Sequence, residues 1–208
     1  MKSNIGEVIE MFAGKHISIE GMDGVGKTTV CKLLSERTGY VFLDKPLRYL
    51  FDEEGGDIER YFAIRDYVNK QSDRIFTSWF YGLSSTFTYS KYNGSNIITD
   101  RHFLSNYLWS GEPESEPVID LLVKLLGAPT FTFLIYADKE QIIDRIRKRD
   151  IEDTDIVKAE KTEFAYKKME SFLIKYNMAY EKIDTSTIDP ETVCNKIVLT
   201  LKSRGIIQ

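Results

Sequence analysis

Gly21-Met22-Asp23-Gly24-Val25-Gly26-Lys27-Thr28-Thr29 is a complete Gly-x-x-x-x-Gly-Lys-Thr motif, and the residues on either side of it give it a structural setting. Upstream, His16 to Glu20 is a short apolar run of strand length. Downstream, Val30, Leu33 and Leu34 recur at helical spacing, which predicts a helix from Lys27 to Arg37. Strand, glycine loop and helix in that order form a phosphate cradle. The glycines let backbone N–H groups turn inward onto phosphate oxygens, and the helix adds its positive N-terminus. In this pattern Gly21, Met22, Asp23, Gly24, Val25, Gly26, Lys27, Thr28 and Thr29 bind the nucleotide. Lys27 neutralises the β/γ charge, and Thr28 places a hydroxyl on Mg²⁺, so ATP and Mg²⁺ are the expected cofactors. A tight glycine turn that binds nothing is the competing reading.

Working outward, apolar runs of strand length alternate with segments of helical period, as in a parallel sheet flanked by helices. Strands are expected at His16–Glu20, Tyr40–Leu43, Asn96–Thr99, Thr130–Tyr136 and Glu181–Asp184. After the cradle helix, further helices are expected at 57–69, 72–92, 103–109, 117–126, 139–149, 155–176 and 190–202, the last with Asp189 as its cap and Pro190 in its first turn. The fold class is therefore α/β: a three-layer P-loop fold with a five-stranded parallel sheet and a short lid at about 145–155. Residues 1–208 read as a single domain. Ile5, Val8, Ile9 and Phe12 fall at i, i+3, i+4 and i+7, so residues 1–15 read as an extra amphipathic packing helix.

Composition removes several classes of function. With 28 Lys and Arg against 32 Asp and Glu the net charge is −4, a poor balance for gripping nucleic-acid backbone, so no nucleic-acid partner is expected. No apolar run approaches the ~18 residues of a membrane span, and the charged N-terminus does not read as a signal peptide; a cytoplasmic location and no membrane partner are expected. Cys31 and Cys194 lie far apart without a CxxC pattern, and both read as small buried apolar residues.

Ile19 to Thr29 resembles the first motif of thymidylate kinases, in which an acidic residue and glycine open the loop and Asp-Gly precedes Gly-Lys-Thr. Thr99-Asp100-Arg101-His102-Phe103-Leu104-Ser105 resembles their second motif, and Phe133 to Arg149 their fourth strand and lid. The resemblance runs from about His16 to the C-terminus. It implies ATP-dependent phosphoryl transfer to a deoxynucleoside monophosphate, dTMP to dTDP, with small nucleotides as partners and a homodimer as the usual assembly. It further implies that Asp23 contacts the acceptor's 3′-hydroxyl, that Arg101 holds the acceptor's phosphate, and that Arg48 in Asp44-Lys45-Pro46-Leu47-Arg48 makes a second phosphate contact, with Lys45 as its substitute.

Elementary chemistry runs in the same direction. Asp100 and Arg101 follow the third strand, and ligands of open parallel sheets bind outside the carboxyl ends of the strands. An Arg there suits a bidentate phosphate contact, and a carboxylate suits the waters of Mg²⁺. A surface ion pair is the plainer reading of that dipeptide, and a solvated loop residue that of Arg48. Position 25 is Val, so the cradle carries no arginine, and the charge for the transferring group is expected from the lid, at Arg145 and Arg149. The plainer reading of the lid is a solvated charged face. The resemblance places the thymine-reading Arg and Gln or Asn at Trp79 and Tyr81, where neither residue makes a bidentate contact. The helix offers Trp79, Phe80, Tyr81, Phe87 and Tyr89 for stacking on a base or for the core. A deoxynucleoside kinase, with Asp100 as base, and a regulatory P-loop module are the alternatives; the sequence has no Asn-Lys-x-Asp guanine motif to support the latter.

Overall fold

The computed structural model describes residues 12–51, 56–149 and 158–208. Five parallel strands stand in the order β2-β3-β1-β4-β5: β1 (His16–Glu20), β2 (Val41–Leu43), β3 (Ile97–Asp100), β4 (Phe131–Tyr136) and β5 (Tyr180–Asp184). All five residues of β1 are buried. Neighbouring strand residues point to opposite faces, so helices must cover both sides of this central strand. The helices form two packed groups. α1 (Lys27–Thr38) packs on the last helix, α9 (Pro190–Ser203). α4 (Arg74–Lys91), α5 (Phe103–Ser110), α6 (Glu116–Leu126) and α8 (Thr162–Lys175) pack on one another. α2 (Arg48–Phe51), α3 (Ile58–Asn69) and α7 (Lys139–Arg149) complete the described helices.

Local chemistry sets the ends of these elements. Asp57, Asp73 and Asp189 each accept an N–H of the first turn that follows, from Arg60, Phe76 and Thr192 at 2.8–2.9 Å. Gly39 ends α1 in a left-handed conformation and donates to Ser35 O at 2.9 Å.

The structure corrects several expected boundaries. Residues 12–15 are not helical but lead straight into β1; the rest of the expected 1–15 helix lies outside the described residues. Phe12 instead stacks on Tyr89, their ring centroids 4.6 Å apart. The one-turn helix α2 stands where a plain loop was expected, its turn following Pro46, and the described part of the expected 155–176 helix begins in earnest only at Thr162. Cys31 and Cys194 are buried free thiols, as expected.

Candidate active site

Parallel order brings the carboxyl ends of β1 and β3 side by side, with Ile19 opposite Asp100, so the glycine loop after β1 and the Asp-Arg pair after β3 share one edge. Backbone shape makes the loop. Gly21 has φ 147°, and a Cβ there would lie 2.2 Å from Ile135 O of β4. Gly24 has φ 82°, and its Cβ would sit 3.0 Å from Ile146 Cγ1 and 3.1 Å from Ile142 O of α7. Only glycine combines these dihedral angles with such close approach. Tyr166 of α8 pins the loop from the other side: its hydroxyl donates to Ile135 O at 2.9 Å and accepts from Met22 N at 3.2 Å.

The charged groups converge above this loop. Lys27 Nζ donates to Met22 O at 2.7 Å, and burial together with nearby Arg101 pulls the ammonium below its usual range. Thr28 Oγ1 donates to Asp100 Oδ2, and Asp100 Oδ1 is buried with no partner among the described residues. Arg101 takes a left-handed φ of 78°, its N–H donating to Ile19 O at 3.0 Å. Its Nη1 donates to Gly21 O at 3.1 Å and to Ser105 Oγ at 3.0 Å, and Nη2 pairs with Asp23. Burial alone would raise the Asp23 carboxyl, but Arg101 and Lys27 hold it well below the usual carboxylate range; Asp23, Asp100 and Glu20 in turn outweigh burial at Arg101 and keep it charged. The expected residues Asp23, Lys27, Thr28, Asp100 and Arg101 thus form one cluster.

Arg145 and Arg48 are engaged elsewhere. Arg145 Nη2 donates to Thr185 O at 2.5 Å, in the loop after β5, and the Thr185 hydroxyl hydrogen is shared between Tyr136 O at 3.0 Å and Val25 O at 3.2 Å. Arg145 therefore braces the back of the glycine loop. Ile142, Arg145, Ile146 and Arg149 fall at i, i+3, i+4 and i+7, which puts Arg149 on the helix face that meets Gly24. The side chain of Arg149 lies outside the described residues. Arg48 Nη2 donates to the Tyr49 hydroxyl at 2.6 Å, while its buried Nε has no partner among the described residues. Lys45 pairs with Asp44 at 2.6 Å.

Trp79 and Tyr81 do not share a role, because residues two apart on a helix face different ways. Trp79 is 46% exposed, whereas the Tyr81 hydroxyl donates to Asn69 Oδ1 on α3 at 2.5 Å. Burial raises the Tyr81 phenol, while its bond to Asn69 and the charges of Arg65 and Arg101 pull the other way. Tyr61, pushed up to about 12 chiefly by burial, lies in the same charged surroundings. Tyr89 is core.

Sequence reasoning gave no role to Glu20, Ser105, Tyr166 or Lys158. Glu20 is fully buried and accepts from His102 N at 2.7 Å, Leu104 N at 3.0 Å and Ser105 Oγ at 2.7 Å. Its visible signal was its place as the acidic residue that opens the glycine loop. Lys158, which follows the expected lid in sequence, adds its charge to Asp23 and stands 5.6 Å over the Trp109 ring. His102 packs rather than acting as a base. Its ring lies 4.1 Å from that of Phe103, and burial lowers it to about 3.

A family model described as thymidylate kinase matches residues 19–198. A probable thymidylate kinase of Thermoplasma volcanium is 28% identical over 207 residues, covering 90% of this chain and 97% of the relative. Another, from Methanosarcina mazei, is 29% identical over 179 residues, covering 77% and 81%. Among solved structures, a thymidylate kinase from Candida albicans superposes with a TM-score of 0.65 at 15% identity, covering 93% of both chains. A deoxyadenosine kinase from M. mycoides with dCMP and dCDP bound gives 0.63 at 22% identity, covering 90% of this chain and 99% of that one. These two structural likenesses establish the shared fold.

Proposed function

The chain belongs to the thymidylate kinase family, and from that premise we propose that it transfers the γ-phosphoryl group of ATP to the 5′-phosphate of a deoxynucleoside monophosphate, dTMP foremost, giving dTDP. The observation that carries this reading is the meeting of Lys27, the Thr28–Asp100 pair and the Arg101–Asp23 pair at one strand edge.

Phosphoryl transfer requires alignment and positive charge more than covalent chemistry. Lys27 and the inward N–H groups of Gly24 to Thr28 hold the β- and γ-phosphates of the donor. The Thr28 hydroxyl and the unpartnered, buried Asp100 Oδ1 are hard oxygen donors and fit Mg²⁺. When bound, the ion neutralises phosphate charge. Arg101 takes the acceptor's phosphate, Asp23 orients its 3′-hydroxyl, and Arg48 closes over the acceptor from α2. Arg149, on the face of α7 that meets the glycine loop, supplies the charge that the loop lacks at Val25, with Arg145 bracing it.

Two further assignments belong to this reading. Ile75, Phe76, Trp79 and Leu83 of α4 and Leu121 and Leu125 of α6 are exposed apolar residues on touching helices, and we assign that face to a homodimer. Two buried free thiols fit a reducing cytoplasm, and among the described residues no helix is long and apolar enough to cross a membrane.

The test is kcat/KM for dTMP and for thymidine with wild-type and Arg101→Ala enzyme. The wild type should prefer dTMP, and Arg101→Ala should lower kcat/KM for dTMP by at least tenfold, since a charge-assisted contact is worth roughly 1.5 to 3 kcal/mol. An enzyme that phosphorylates thymidine and ignores dTMP is a nucleoside kinase instead.

A further inference from the structure

Arg101 is held in a conformation that its own sequence position does not favour. A non-glycine residue with φ 78° costs free energy, and it persists only where surrounding contacts fix it. Those contacts lead back to one buried carboxylate. Glu20 Oε1 accepts the N–H groups of His102 and Leu104, which ties down the chain immediately after Arg101. Glu20 Oε2 accepts the Ser105 hydroxyl proton, leaving the Ser105 oxygen lone pairs facing Arg101 Nη1, which donates to them at 3.0 Å. Ser105 therefore cannot turn its proton toward Arg101 while Glu20 is ionised.

The donor count of the guanidinium completes the picture. Both Nη1 hydrogens are used, on Gly21 O and Ser105 Oγ, and one Nη2 hydrogen is used on Asp23. Among the described residues, the Nε–H and the second Nη2–H have no protein acceptor, so two of the five donors are left for a ligand.

We propose that Glu20 and Ser105 are positioning residues for the acceptor: through the relay Glu20–Ser105–Arg101 they lock Nη1 of Arg101 and aim its two unspent donors at the acceptor's phosphate. Neither residue touches substrate. The proposal rests on the reading of Arg101 as the acceptor-phosphate anchor, and it adds that the anchor's affinity is set from the β1 side of the sheet.

The experiment is steady-state kinetics with dTMP and ATP for wild type, Ser105→Ala, Ser105→Thr, Glu20→Gln, Arg101→Ala and the double variant Arg101→Ala/Ser105→Ala. Ser105→Ala should raise KM for dTMP roughly tenfold while KM for ATP stays within about twofold, as expected for one hydrogen bond aimed at one substrate. Ser105→Thr, which keeps the hydroxyl, should restore KM for dTMP. Glu20→Gln keeps an oxygen for the two N–H groups but offers Ser105 an amide that cannot accept, so it should show the same split as Ser105→Ala. In the Arg101→Ala background, Ser105→Ala should add less than about twofold, because the relay has lost its end point. An unchanged KM for dTMP in Ser105→Ala, an equal rise for both substrates, or an undiminished effect without Arg101 overturns the proposal alone. An Arg101→Ala enzyme with wild-type use of dTMP overturns the anchor reading and the relay together.

Discussion

Around Gly24 the wall of the proposed site is backbone: Ile142 and Ile146 of α7 press on it from one side, Tyr166 ties Met22 from another, and Lys27 reaches back to Met22 O. Around Arg48 and Tyr81 the surface is made of long side chains, each resting on a neighbour, with Arg48 on Tyr49, Tyr81 on Asn69 and Lys45 on Asp44. A wall made of backbone demands particular residues at fixed spacing, since glycine dihedral angles and inward N–H groups have no substitutes. A wall made of side chains can be rebuilt from many residue types on different helices. The donor side of the site is consequently rigid and specified, while the acceptor side is adaptable, and substitutions should separate the two.

The largest effect is expected on the donor side. Lys27→Ala removes the one ammonium that the loop's own backbone holds in place. We expect kcat to fall by about a thousandfold or more, the order reported by lost phosphate-stabilising charges, with the melting temperature changed by only a few degrees. A turnover above a tenth of wild type would mean that Lys27 does not face the transferred phosphoryl group.

Next come the two arginines of α7, which sharpen the boundary between the glycine loop and the helix packed on it. Arg149→Ala should lower kcat about a hundredfold or more with little change in KM for ATP, since a charge met mainly in the transition state acts on kcat. Arg145→Ala should instead raise KM for ATP, because Arg145 is spent on Thr185 and thereby braces Val25. Pre-steady-state measurements that leave the transfer step untouched in Arg149→Ala would return the lid to a solvated face.

Beneath the donor edge lie two buried imidazoles. His16 bonds Tyr89 OH and Thr99 Oγ1, both at 2.8 Å, and His102 packs edge-on to it with ring centroids 4.7 Å apart. Burial depresses both, His102 to about 3 and His16 well below its ordinary value of 6.5, with His102 adding to the effect on His16. Each is therefore neutral when folded and takes up a proton on unfolding below that value. Stability from these groups is complete above pH 6.5 and is lost as pH falls from there toward 3. At a pH about one unit below 6.5 the two together should cost about 2.5 kcal/mol relative to neutral pH. Urea midpoints at the two pH values measure it, and His102→Phe should halve the drop.

This division explains how much could be read from residues alone. Gly21 to Thr29 and Asp100-Arg101 were legible because their chemistry dictates residue type and spacing together. Asp189 was legible as a cap for the same reason. Glu20 and Ser105 were visible as motif positions but their contacts were not, and Tyr166 was not visible at all, since these roles depend on partners 85, 85 and 31 residues away along the chain that only the parallel sheet order brings near. Trp79 and Tyr81 looked equivalent in a string of letters, and helical geometry separated them. Arg145 had the right charge on the right helix, but the loop after β5 took up its donors.

The smallest effect is expected at Tyr81, where the adaptable wall is least constrained. Its hydroxyl donates to Asn69 Oδ1, joining α4 to α3. Tyr81→Phe deletes that bond but leaves the ring, and the Asn69 oxygen regains water because Asn69 is exposed. A partner that can rehydrate carries little penalty, so stability should change by less than about 1 kcal/mol. On the proposed reading the α3–α4 contact belongs to the acceptor side of the site, so the acceptor should respond where stability does not. We expect KM for dTMP to shift two- to fivefold, together with the dTMP-to-dCMP preference, while KM for ATP holds. Tyr67→Phe is the control: Tyr67 lies on α3 but is 62% exposed, so its hydroxyl should not matter. If Tyr81→Phe changed KM for ATP and dTMP alike, the α3–α4 contact would be supporting the whole site, and the separation of a rigid donor side from an adaptable acceptor side would fail.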